Sequence, residues 1–78
     1  MAEKTHEKDA AGLAKVLEAL KDQGHKFPFA YIAAQTGVSR QSVRNWESVP
    51  MKHLAKISEL SGLPRDKILP YTIKRILG

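Results

Sequence analysis

Seventy-eight residues make one small domain whose core, with 42% apolar but only 6% aromatic residues, has to come from Leu, Ile, Val and Ala, a mixture that favours helices. Zero cysteines exclude disulfides, thiolate metal sites and thiol catalysis, and no run of about 18 apolar residues offers a membrane span. The net charge of +5 is unevenly spread: residues 1–24 carry four lysines against five acids, whereas 25–78 carry nine cations against three acids, so the second part presents the basic surface.

Residues 1–6 are polar and unpatterned and are expected to fray as a flexible N-terminus. No apolar stretch follows this charged start, so no secretion signal is expected and a cytoplasmic location is. Over 7–23, Ala10, Leu13, Ala14, Val16, Leu17 and Leu20 recur at steps of three and four, the spacing of one helix face. Gly24 reads as its left-handed end, with Lys21 in the last turn where positive charge suits the dipole. Pro28 fits the first turn of a second helix through Thr36, and Gly37 breaks it. Ser39 can then cap a third helix over 40–47.

Pro50 opens a fourth helix with Leu54, Ile57 and Leu60 on one face, and Gly62 ends it. Pro64 opens a short fifth turn that Pro70 closes. The tail, 71–78, supports two readings: alternation puts Tyr71, Ile73, Arg75 and Leu77 on one strand face, while Ile73, Ile76 and Leu77 also make a helical stripe. The expected architecture is therefore all-α, with five helices over 7–70 and a tail open to either form.

The stretch 29–48, FAYIAAQTGVSRQSVRNWES, is the informative one. Two short helices joined by a sharp turn need backbone freedom at the bend, a small residue where they approach and apolar residues facing inward. Gly37 supplies the first, Ala33 the second, and Ile32, Val38, Val43 and Trp46 the third. These positions resemble the helix-turn-helix of the lambdoid phage Cro and repressor proteins, most closely at Gly37-Val38-Ser39 and Val43-x-x-Trp46-Glu47. Through Val49-Pro50 and Ser61-Gly62-Leu63-Pro64 the chain also resembles the Cro-like and YdaS-like prophage regulators, so the likeness spans roughly residues 27–70. The fold it implies is the small lambda-repressor-like domain.

Helical geometry selects the outward residues independently. Turning about 100° per residue from a buried Val43 puts Trp46, Ser39 and Glu47 on the inner half and Gln41, Arg44, Asn45 and Ser48 outward, with Arg40 on the flank. Arg can donate two hydrogen bonds to guanine, and Gln and Asn can pair with adenine in the major groove. The resemblance implies the same set: Ser39, Arg40, Gln41, Arg44, Asn45 and Ser48 hold the positions that meet DNA in that family. Each has a plainer role open to it: Ser39 as a helix cap, Arg40 and Arg44 as phosphate contacts or solvated charges, Trp46 as core. Lys26, Thr36 and Lys52 are candidates for phosphate contact, which positions a protein without reading sequence. Where the family often starts its second helix with a polar, phosphate-holding residue, this chain has Pro28 and Phe29.

Nothing in the sequence suggests an enzyme. His6, His25 and His53 are scattered, no glycine-rich phosphate loop is present, and there are no paired acids of the kind that hold a metal. No metal, cofactor, small-molecule substrate or membrane is expected as a partner. The expectation is a sequence-specific regulator, a prophage Cro-like repressor, that binds double-stranded DNA as a homodimer. The same motif would also serve a DNA-packaging or recombination accessory protein, or an interaction module for an acidic partner.

Overall fold

A computed structural model describes residues 6–77; the fraying expected of residues 1–5 lies outside them, as does Gly78. The first helix, α1 (Glu7–Asp22), opens on His6, whose Nδ1 accepts the Lys8 N–H at 3.1 Å. The His6 ring also stacks on Tyr71 at 3.9 Å. His6, expected to fray, is thus tied down by its ring, and by its carbonyl, which accepts the Asp9 and Ala10 N–H groups at 3.0 Å. At the other end Gly24 takes φ 100°, its N–H bonds the Lys21 carbonyl, and the His25 N–H reaches back to Leu20. These two crossed bonds satisfy carbonyls the helix itself leaves open.

Helix α2 (Pro28–Thr36) starts with proline and stops at Gly37, whose φ of 75° an L side chain would resist. Three residues on, α3 (Arg40–Arg44) begins, capped by Ser39 Oγ accepting the Ser42 N–H. It ends three residues before the expected limit at 47. The Trp46 N–H bonds Val43 rather than Ser42, so the last turn tightens and the chain leaves the helical path. Beyond Arg44 the irregular path carries Val49, 2% exposed, into the same core as the wholly buried Val43.

Pro50 does open a helical segment, but as a 3₁₀ turn over Met51–His53 that passes into α4 (Leu54–Ser61). Gln23 Nε2 donates to the carbonyls of Leu60 and Ser61, joining the end of α1 to the end of α4. A short α5 (Arg65–Ile68) follows, and then α6 (Pro70–Leu77). The fifth turn does end before Pro70, but Pro70 is also the first residue of a sixth helix, which corrects the count of five; of the two readings of the tail, the helical one holds. All regular structure in the described residues is helical.

The cap that makes α6 possible lies 62 residues away in sequence. Asp9, only 3% exposed, accepts the Tyr71 N–H at 2.9 Å, the Thr72 N–H at 3.5 Å and the Thr72 hydroxyl at 2.6 Å. Helix starts leave N–H groups without intrahelical partners, and a carboxylate there also suits the dipole. The buried face of α1 accordingly runs through Asp9, Gly12, Leu13, Val16 and Leu20, whereas Ala10 and Ala14, read as part of the face, are exposed. Gly12 lies directly on α5: a Cβ there would sit 1.8 Å from the Ile68 carbonyl oxygen. Around α1 the core collects Ile32, Ala33, Val43, Val49, Leu54, Ile57, Ile68 and Leu69.

Candidate nucleic-acid interface

The rigid base of the site is the α2–α3 pair. Ile32 and Val43 are wholly buried, and Val38 and Trp46 pack partly exposed against the same core. Trp46 stacks on His53 at a centroid distance of 5.7 Å, and the His53 Nε2 is buried without a hydrogen-bond partner. Trp46 therefore serves as packing beneath α3. With that side pinned, Arg40, Gln41, Ser42 and Arg44 on α3, and Asn45 just beyond it, are all exposed.

Three of these residues, Arg40, Gln41 and Arg44, line one groove of about 620 Å³ between α3 and the start of α2. Lys21 and Lys26 from the other side, with Phe27, Pro28, Phe29 and Ala30, complete its walls. Four cations and no carboxylate face this concavity. Such a surface concentrates positive potential and favours a polyanion. The Arg44 guanidinium stands over the Phe29 ring, 5.9 Å from its centroid, which limits where that cation can point.

The remaining expected residues are distributed differently. Ser39 is exposed, but its oxygen is engaged at the helix start: it accepts from Ser42 N–H and donates to Ser42 Oγ. Asn45 is exposed at the end of α3, and Ser48 is half-buried in the following loop. Thr36 sits at the far end of α2 from the groove, and its hydroxyl is already donated to the Ile32 carbonyl at 2.8 Å. Lys52 is exposed on the 3₁₀ turn, away from the groove walls. Of the nine expected residues, then, Lys26, Arg40, Gln41 and Arg44 come together.

Lys21, Phe27 and Phe29 join the groove without having been singled out as contacts. The signal was present as the run Lys26-Phe27-Pro28-Phe29, where two aromatics flank the helix-opening proline beside a cation. Among the described residues no cluster of three or more His, Cys, Asp and Glu could hold a metal, and no helix is long and apolar enough to cross a membrane. Compared with family models, curated proteins and solved structures, the chain matches none of them.

Proposed function

We propose that the chain is a sequence-specific regulator of transcription that binds double-stranded DNA, of the Cro-like repressor kind found in prophages. In this reading α2 and α3 form a helix-turn-helix within a lambda-repressor-like domain, and α3 enters the major groove. The observation that carries it is the groove: Arg40, Gln41 and Arg44 stand outward on a helix whose opposite side is locked by Val43 and Trp46, with Lys21 and Lys26 adding charge beside them. Guanidinium and amide groups read base edges, while lysines hold phosphates. Lys26 and Lys52 are assigned to the backbone, and Asn45 and Ser48 to the rim of the contact.

The short α3 has a consequence. Five residues rise only about 7.5 Å, roughly two base-pair steps. Each good bidentate contact discriminates by about 1–3 kcal/mol, whereas specific binding exceeds nonspecific binding by about 4–10 kcal/mol. One copy reaches only the low end of that range, so we assign the working form to a two-fold dimer on two half-sites about 34 Å apart. The end of α6, with Ile76 61% and Leu77 83% exposed, is the candidate contact between copies.

Selection of binding sites from random duplexes tests the reading. Enrichment of one palindrome, bound by two copies in sedimentation, supports it. Recovery of no preferred sequence overturns it, and stable rings would instead favour the packaging accessory role.

A further inference from the structure

Phe27 is the most exposed aromatic residue described, at 75%, and nothing in the fold uses its ring. A lone exposed apolar side chain needs no explanation. This one is unusual in its placement and its rigidity. It forms a wall of the groove shared by Lys26, Arg40, Gln41 and Arg44. Its backbone is fixed as the residue before α2, its carbonyl accepting the Tyr31 N–H at 3.0 Å, and the preceding loop is held by His25 stacked on Tyr31 at 3.8 Å. The ring is thus presented from an ordered position among cations rather than carried on a loose segment.

Resting on the function proposed above, we propose that Phe27 is an apolar contact to DNA, packing on C–H and methyl groups between phosphates held by the surrounding cations. Charge complementarity selects the occupant, since four cations without a carboxylate on the groove walls favour an anion, and the exposed ring among them favours one that carries apolar surface within reach of its charge. Nucleic acid meets both conditions. The C–H surface can come from a deoxyribose edge or from the 5-methyl of thymine, whose contact with apolar side chains is a known form of base readout. In the second case Phe27 also sets specificity at one position.

The test uses the full chain and its selected duplex, with binding measured across a series of salt concentrations. Phe27→Ala should bind roughly tenfold more weakly, the low end of what burying a phenyl ring is worth. Its dependence on log salt should match the wild type, because no phosphate contact is lost. Phe27→Leu should recover most of the affinity, whereas Lys26→Gln should flatten the slope by about 0.9, the value of one phosphate. Replacing each thymine with uracil separates the two sources. A loss of about fourfold at one position in the wild type that vanishes in Phe27→Ala assigns the contact to a methyl group. Equal uracil effects in both proteins, with the tenfold loss retained, assign it to the sugar. Wild-type affinity in Phe27→Ala, or a flattened salt slope, overturns this inference alone. Failure of the wild type to prefer any duplex overturns it together with the reading beneath it.

Discussion

Replacing Asp9 with alanine removes the carboxylate that starts α6. The two short bonds, to the Tyr71 N–H and the Thr72 hydroxyl, carry most of the effect, because the third is at 3.5 Å. Hydrogen bonds to a charged acceptor contribute about 1.5–3 kcal/mol each. The loss is bounded, since α6 can lift away and return its N–H groups to water, so the expected destabilisation is about 2–4 kcal/mol, that of a strong helix cap or a little more. A chain of this length has a total stability of about 4–12 kcal/mol. The change is therefore large, and at about 4–8 °C per kcal/mol the thermal midpoint should fall by at least about 8 °C. Asp9→Asn keeps one acceptor oxygen and should lose less. The assay pairs thermal and urea melts with amide hydrogen exchange, in which Tyr71 and Thr72 should lose protection while Leu20 and Ile57 retain most of theirs. Stability within about 0.5 kcal/mol of the wild type, the span of ordinary surface substitutions, with both amides still protected, would refute the capping argument.

Other substitutions probe the remaining supports. Gly12→Ala should destabilise by about 2 kcal/mol in urea melts although alanine favours helix by about 1 kcal/mol, because the added methyl meets the Ile68 backbone. Val43→Ala, at a wholly buried position, should cost about 2–3 kcal/mol and also weaken DNA binding as α3 loses its anchor. In binding assays, Gln41→Ala should relax preference at one base step by about 1–3 kcal/mol without changing the salt slope. Lys52→Ala should weaken all duplexes alike and reduce that slope by about 0.9.

The local signals in the sequence were sufficient where structure is decided locally. Glycine at a positive φ ends α2 and α4 and follows α1, proline opens α2, and Ser39 caps α3, because each depends only on backbone geometry within a few residues. Of the set that helical rotation about Val43 turns outward, Gln41, Arg44 and Asn45 are exposed, whereas Ser48 is half-buried and Glu47, turned inward by the same rotation, is exposed, because both lie beyond the end of α3. Where distant residues decide, the reading stopped. Periodicity left the tail open between strand and helix; Leu69 before α6 offers no side-chain oxygen, and the cap comes from Asp9 at the other end of the chain. Asp9 and Gly12 were absent from the apolar face of α1 because burial there follows a carboxylate's partners and a backbone's close approach, not hydropathy. The early end of α3 carries no glycine or proline to mark it, since Asn45, Trp46 and Glu47 follow Arg44. The groove was half visible: its α3 wall could be derived, but the Lys21–Phe29 wall needed the packing of α1 against α2.

The central claim is that the outward face of α3 reads DNA sequence, and competition binding with the selected duplex and a scrambled duplex of equal length, followed from low to high salt, tests it most directly. The account predicts a preference of roughly a thousandfold or more for the selected site and a steep fall of both affinities as salt rises. Equal affinity for the two duplexes at every salt concentration would contradict it.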